Sequence, residues 1–293
     1  MTVDSAVLAH PRARALGLRV PGPATLVAAA AFALLFWRPA TTLASDWWSD
    51  PNAGHGLLLA PVAFWLAYRR GLVPALPRPA TGLALLAAAI LLRCVSGLAA
   101  ELFTMRLSLL MAAVALLVYT RGWGQIRHWW LPLGLLLLCI PLPAVIMSSL
   151  ALPLQFRASA IGAWLLRARD VPVVLAGNVI HLPGRSLFVT EACSGLRSLS
   201  ALLAIGLLVA GLWLSTTAGR ALLLLLAIPV AVLLNAVRVF LTGFLVVFVD
   251  PRLGDGFMHL TEGWLIYVVA LAMLGGIAWV IARVEARRAG VPA

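Results

Sequence analysis

Long apolar runs joined by short polar connections dominate the chain from about residue 22 onward. About 20 consecutive apolar residues cross the hydrocarbon core of a bilayer as a helix, so runs near that length predict membrane spans. Eight such runs cover residues 22–37, 55–68, 81–99, 103–120, 129–147, 194–215, 221–248 and 262–283. The first follows three arginines and is interpreted as an uncleaved first helix rather than a signal peptide. This pattern predicts an all-α polytopic membrane protein with about eight transmembrane helices.

The more polar stretch between the fifth and sixth runs predicts two further elements. Arginines spaced among apolar residues over 148–170 are typical of a helix that lies in the outer interface. Residues 171–190 hold three short strand-like runs, separated by Gly177-Asn178 and Pro183-Gly184. They predict a small extracytoplasmic β-hairpin sheet that leads to Cys193. Internal repeats are absent, so residues 1–293 are expected to form one membrane-embedded domain.

Composition supports the membrane class and limits the others. Hydrophobic residues make up 63% of the 293 residues and charged residues 11%, which is more apolar surface than a soluble domain can bury. The formal charge is +12, but the arginines stand singly or in pairs between apolar runs, as topology signals do, so no nucleic-acid partner is expected. Three cysteines without metal-ligand spacing indicate neither a disulfide framework nor a metal site, and no cofactor is expected.

The arginines of the short loops predict the orientation, because cytoplasmic loops retain positive charge. In an eight-helix arrangement one side receives Arg12, Arg14, Arg19, Arg69, Arg70, Arg78, Arg121, Arg127, Arg220, Arg283, Arg287 and Arg288. The opposite side receives Asp46, Asp50, Glu101, Asp250, Asp255 and Glu262. Both termini are therefore expected in the cytoplasm. The same arrangement brings Cys193, Arg238, His259 and His55 to one depth on the outer side.

Cys193 has neighbours that favour a reactive thiolate. It precedes the sixth run in Glu191-Ala192-Cys193-Ser194-Gly195-Leu196-Arg197, where an extended segment turns into a helix. A helix N-terminus and a nearby arginine, here Arg197, each stabilise the thiolate, which is the nucleophilic form. The alternative is that Cys193 is a small packing residue and Arg197 an interfacial anchor.

Arg238 and His259 supply further groups for catalysis. Arg238 shares a helix face with Asn235, and a charge within a span is costly enough to indicate function. It would stabilise an oxyanion or pair with a carboxylate of another helix. His259 has Glu262 one turn on, so a carboxylate would orient the imidazole as general base, although a bystander histidine remains the alternative. For His55 a simple turn position stands beside substrate contact or support of the site.

Several motifs resemble the exosortase/archaeosortase family of membrane-embedded sorting enzymes. The residues that carry the resemblance are EACSGLRSL at 191–199, NAVRVF at 235–240, the histidine before the eighth run, GNVIHL at 177–182, IPLP at 140–143 and HG at 55–56. By this resemblance Cys193, Arg238 and His259 are the catalytic residues, and the histidine points to the bacterial exosortase branch. The chain ends soon after the eighth run, so the extra periplasmic domain of some members is expected to be absent.

The resemblance also implies a substrate and a location. It implies a cysteine peptidase or transpeptidase of the bacterial inner membrane, facing the periplasm, that cuts exported, membrane-tethered proteins at a C-terminal sorting signal. That PEP-CTERM-type signal comprises a Pro-Glu-Pro-type motif, one transmembrane helix and a basic tail, often in bacteria that secrete exopolysaccharide. A lipid or glycan would be a possible acceptor. The rival class is a transporter or lipid-headgroup-binding protein in which Arg197 and Arg238 hold an anionic headgroup.

Overall fold

The computed structural model describes residues 22–50, 52–74, 76–183, 185–189, 196–250 and 256–289, without the side chains at 144, 150, 185, 188, 196–198 and 256–263. Ten helices lie in this part of the chain: α1 Pro23–Ser49, α2 Gly56–Arg70, α3 Pro79–Leu98, α4 Leu102–Arg121, α5 Trp123–His128, α6 Trp130–Leu138, α7 Ala144–Arg167, α8 Leu196–Trp213, α9 Thr217–Phe248 and α10 Gly256–Arg288. Three strands lie between α7 and α8: β1 Val174–Ala176, β2 Val179–Leu182 and β3 Arg185–Phe188.

The chain divides into two compact units, Met1–Arg38 and Pro39–Ala293. In the described part of the first unit, the rings of Phe32 and Phe36 pack with their centroids 4.7 Å apart. The residue contacts described below lie in the second unit.

Six helices of the described residues are long and apolar enough to cross a membrane. They are Pro23–Ser49, Pro79–Leu98, Leu102–Arg121, Val145–Arg167, Thr217–Phe248 and Trp264–Arg288. α2 has 15 residues and α6 has 9, so neither reaches the length of a full crossing. α7 overlaps the helix that was predicted over 148–170 to lie in the outer interface, but it is long and apolar enough to cross a membrane. The polytopic helical fold with a small antiparallel sheet is confirmed, while the six helices differ in part from the eight predicted spans.

The fifth predicted span, 129–147, is not one continuous helix. α6 ends at Leu138, and α7 begins at Ala144 after five non-helical residues that include Pro141 and Pro143. Proline has no backbone N–H to donate and disfavours helical geometry at the residue before it. Two prolines spaced by one residue therefore interrupt a run that hydropathy alone presents as continuous.

Segments rich in arginine lie together at one end of the second unit. Arg70, which ends α2, donates from Nη1 to the carbonyl of His128 at 2.9 Å, and the His128 ring lies 3.0 Å from the carbonyl of Arg70. Arg220 of α9 stacks over the Trp130 ring at 4.8 Å. Glu285, near the end of α10, accepts hydrogen bonds from the α8–α9 connection. This arginine-rich end thus joins the ends of five helices.

Helices α8, α9 and α10 share one apolar core. Its buried members are Leu202, Ala210, Leu214, Leu223, Ala227, Val230, Ala231, Leu234, Ala270, Leu274 and Ala278. Small residues bring the backbones close, as is common where membrane helices pack. A β-carbon added at Gly206 would lie 3.5 Å from the Leu224 side chain and 3.4 Å from that of Leu274. Gly206, Leu224 and Leu274 therefore mark one level at which the three helices meet.

The sheet is antiparallel in the order β1-β2-β3, with Val174 opposite His181 and Ile180 opposite Leu187. Gly177 takes a positive φ of 63° in the β1–β2 turn, a conformation that suits glycine. Ile180 is fully buried in a cluster that also contains residues of α7 and the C-terminal half of α9. The sheet is thereby held against the half of α9 that carries Arg238.

Candidate active site

Arg238 lies in α9 with its guanidinium partly enclosed by protein. Its Nε atom is buried, and Asn235, one turn earlier, is 5% exposed, so both residues lie toward the protein interior. Thr242 donates its hydroxyl hydrogen to the carbonyl of Arg238 at 3.0 Å. The prediction that Asn235 and Arg238 share an inward-facing side of the helix agrees with this burial.

Five other predicted site residues lie, along the sequence, at or before the starts of α8 and α10. Arg197 belongs to the first turn of α8, and His259 and Glu262 belong to the first two turns of α10. The side chains of these three residues lie outside the described part of the structure, as do Glu191 and Cys193 entirely. Contact among the sulfur, guanidinium and imidazole therefore remains a prediction.

Counting residues along each helix from a common level nevertheless gives the relative heights of the described backbone positions. From the level of Gly206, Leu224 and Leu274, a rise of about 1.5 Å per residue places Arg238 about 21 Å along α9. The same rise places the backbone of His259 about 22 Å along α10, and the first residue of α8, Leu196, about 15 Å along that helix. The three helices thus present Arg238, the start of α10 and the start of α8 at one end of their shared core.

Asn178 anchors the backbone that precedes the cysteine segment. Its Nδ2 donates to Gln155 Oε1 at 3.2 Å and to the carbonyl of Val189 at 3.1 Å. The backbone N–H of Val189 in turn donates to the carbonyl of Asn178 at 3.0 Å. Gln155 of α7 is 4% exposed, so the network is largely enclosed. The sequence pattern marks Asn178 as a turn residue and as part of the GNVIHL motif, without this anchoring role; the polar Gln155 among the apolar residues of α7 was the signal for it.

His55 lies at the break between α6 and α7. Its Nε2 is 3.1 Å from the carbonyl oxygen of Leu138, and Trp47 donates its indole N–H to the carbonyl of Cys139 at 2.8 Å. These two carbonyls come at the end of α6, where helical partners run out. Sequence analysis singled out His55 for site support and missed Trp47. Both side chains provide hydrogen-bonding partners for backbone that has left helical geometry.

Two further arginines, Arg106 of α4 and Arg93 of α3, have different surroundings. Arg106 is 3% exposed and forms an ion pair with Asp46, with 2.8 Å between Nη2 and Oδ2. It also donates to the carbonyl of Thr42 at 3.3 Å. Arg93 lies half-buried in α3 with its Nη1 close to Gly97. The Arg106 pair links α1 to α4 and agrees with a structural role.

The comparison with protein families identifies the chain. The model of the transmembrane exosortase family (Exosortase_EpsH) matches residues 47–276. Comparisons with curated proteins and with solved structures gave no match. The matched region contains the sheet, α8, α9 and the start of α10, so it includes every predicted site residue. The chain belongs to the transmembrane exosortase family, whose members are membrane-embedded sorting enzymes.

Proposed function

We propose that this exosortase is a cysteine peptidase or transpeptidase that cuts C-terminal sorting signals of membrane-tethered proteins. The observation that carries the proposal is Arg238, an arginine with a buried Nε in a long apolar helix, at the end of the shared core where α8 and α10 begin. A charge at that depth costs at least about 2.5 kcal/mol on insertion scales, so a functional use is the first explanation. Family membership supplies the class of reaction.

The proposed nucleophile is Cys193. Only two residues, Ser194 and Gly195, separate it from Leu196, and the three steps along the chain span at most about 10 Å. Since Leu196 lies about 15 Å along α8 from the common level, Cys193 is within chain reach of the Arg238 height. The first turn of α8, with its N–H groups and with Arg197, would favour the thiolate.

The proposed reaction has two steps. The Cys193 thiolate attacks the scissile carbonyl carbon, and Arg238 stabilises the oxyanion that forms. The C–N bond then breaks, His259 donates a proton to the departing amine, and a thioester remains on the enzyme. Water or an amine acceptor next attacks the thioester carbonyl, His259 takes its proton, and the thiolate is restored. Water gives hydrolysis and an amine gives transpeptidation.

The remaining site residues take supporting parts in this proposal. Glu262 orients His259, and Asn235 supports Arg238 from the same face of α9. Arg197 pairs with the acidic residue of the Pro-Glu-Pro-type motif or lowers the pKa of the thiol, with Glu191 and His55 in the surroundings. A substrate helix in the same bilayer would present its outer junction at a matching depth, which raises its effective concentration.

The orientation follows from the charge distribution. The arginine-rich end is proposed to face the cytoplasm, with both termini on that side and the Arg238 end facing the periplasm of the inner membrane. Five helix ends meet at the arginine-rich end, which supports a common sidedness for those loops.

Cys193→Ala, expressed with a tagged substrate that ends in a sorting signal, tests the proposal. We expect uncut substrate to accumulate with normal amounts of inserted enzyme. Cys94→Ala is the matched control, because Cys94 is a free, exposed cysteine far along the chain from the site, and it should process normally. Normal processing by Cys193→Ala would refute the enzyme assignment. Substrate-protectable labelling of Cys193 by a membrane-impermeant alkylating reagent distinguishes the enzyme from a headgroup-binding protein, which would be indifferent to alkylation.

A further inference from the structure

Two arginines from different helices meet at one tryptophan at the arginine-rich end. The guanidinium carbon of Arg70 lies 6.0 Å from the ring centroid of Trp130, and that of Arg220 lies 4.8 Å from it. All three side chains are partly exposed. α2, α6 and α9 thus bring two positive charges to a single accessible aromatic ring.

The direct partners of both guanidinium groups are neutral. Arg70 Nη1 donates to the carbonyl of His128 at 2.9 Å, while Arg220 donates from Nε and Nη2 to the carbonyl of Leu214 at 3.0 and 2.8 Å. Across the described ranges, neither arginine forms an ion pair with a carboxylate. Burial and, next, the charge of Arg220 lower the pKa of Arg70, as expected for like charges brought together. N–H groups of both guanidiniums remain for a further acceptor.

Arginine pairs of this kind suit a phosphate group. A guanidinium presents parallel N–H donors that match two oxygens of a phosphate, and two guanidiniums would each be relieved of repulsion by one anion between them. The surroundings are those of a membrane interface: Trp213 is 56% exposed at the end of α8, and Leu212 beside it is equally exposed. Apolar chains would lie against such side chains while a charged headgroup meets the arginines.

We propose that Arg70 and Arg220 form a binding site for the phosphate of an anionic phospholipid, with Trp130 as its aromatic wall. The site joins residues of three helices, so the bound lipid acts as a clamp at this end. It is separate from the proposed catalytic residues and does not depend on the proposed reaction. The shared chemistry is a phosphate oxyanion, which a lipid headgroup or free phosphate can supply.

The test uses the full-length protein in zwitterionic nanodiscs or detergent, titrated with phosphatidylglycerol while native mass spectrometry counts bound lipid. Each arginine near an anionic lipid contributes about 1 kcal/mol, so Arg70→Gln or Arg220→Gln should weaken binding about fivefold, and the double variant about 30-fold. Arg69→Gln is the matched control: Arg69 lies next in sequence to Arg70 and stacks on Trp65 at 5.4 Å, without a second arginine on that ring. It should bind as the unaltered protein does.

The outcomes separate the possible sources of the phosphate. The site is supported if the unaltered protein and Arg69→Gln retain phosphatidylglycerol but not phosphatidylcholine, and the double variant loses the bound phosphatidylglycerol. Equal losses in Arg69→Gln and the double variant, or no loss in either, overturn it. If millimolar inorganic phosphate displaces the lipid and stabilises the protein as well as the lipid does, the lipid source is refuted. Should the double variant not yield monodisperse protein, the two single variants and Arg70→Lys, which keeps the charge and should retain most binding, decide the matter.

Discussion

Replacement of Asn178 by alanine tests whether the sheet positions the segment that leads to Cys193. The substitution removes both donations from Nδ2, to Gln155 Oε1 and to the carbonyl of Val189. It leaves intact the backbone hydrogen bond from Val189 to residue 178. The β1–β2 turn and the register of the strands should therefore survive, while the end of the sheet loses its side-chain anchor.

The magnitude follows from burial of the two acceptors. Gln155 is 4% exposed and Val189 is 3% exposed, so water replaces the lost donor poorly at either position. A buried acceptor without a partner costs about 1–3 kcal/mol. We expect a loss of about 2 kcal/mol in the local stability of residues near Val189, which increases local opening by about 30-fold. Because displacement of a reacting group by about 1 Å can cost 100-fold in rate, processing of a substrate should fall at least tenfold.

Two measurements check the result independently. Hydrogen exchange of the sheet amides in nanodiscs reports the local opening, and cleavage of a tagged sorting substrate reports the rate. His181→Ala is the control, because His181 of the same sheet is exposed and its side chain contacts the Ser186 hydroxyl at 2.7 Å. Both readouts should stay near those of the unaltered protein. Unchanged exchange at Val189 in Asn178→Ala would refute the anchoring argument. Faster exchange with normal cleavage would refute only its link to catalysis.

Two further predictions concern packing and acid sensitivity. Gly56→Ala should lower the free energy of unfolding by about 2 kcal/mol, because a β-carbon there would overlap the indole ring of Trp47. Gly54→Ala is the control and should be near neutral, since a β-carbon at Gly54 would lie 3.8 Å from its nearest neighbouring atom. Equal effects of the two substitutions would contradict this packing. Burial raises the pKa of Glu101, but hydrogen bonds from the first turn of α4 and the charge of Arg106 outweigh it, so the pKa lies below its usual value. The stability that the ionised Glu101 contributes to the folded protein is present above the unfolded pKa of about 4.3. It is lost as pH falls through the lowered folded pKa. Glu101→Gln should flatten the acid side of the stability profile, and an unchanged profile would disprove the contribution.

The helical membrane fold was predictable because the hydropathy that indicates a span is summed over about 20 residues, so no single residue decides it. The apolar run of α9 contains Pro229 and still forms one helix, since neighbouring helices compensate the interruption. The run over 129–147 has comparable hydropathy but breaks at Pro141 and Pro143. Two prolines spaced by one residue interrupt that run, where α9 has one, and Trp47 and His55 provide hydrogen-bonding partners at the broken end. Such long-range partners leave no periodic trace in the sequence.

The candidate site was predictable to a different degree for each residue. The inward position of Arg238 with Asn235 followed from helical spacing and from the cost of exposing a charge to lipid. The roles of Cys193, Arg197 and His259 stay predictions, because they depend on side-chain geometry that spacing along the chain does not determine. The anchoring role of Asn178 was not predicted, because its turn preference already accounts for the residue in the sequence and its bond to Gln155 crosses between elements.

The contact between His55 and the end of α6 determines where protons can exchange on that imidazole. A carbonyl oxygen has no hydrogen to give, so the nitrogen facing Leu138 must be the one that carries hydrogen. The ring is thereby fixed in a single tautomer when neutral, with Nδ1 as its only lone pair. Any reagent, solvent molecule or peptide group that uses the neutral His55 ring as a base must approach from the Nδ1 edge.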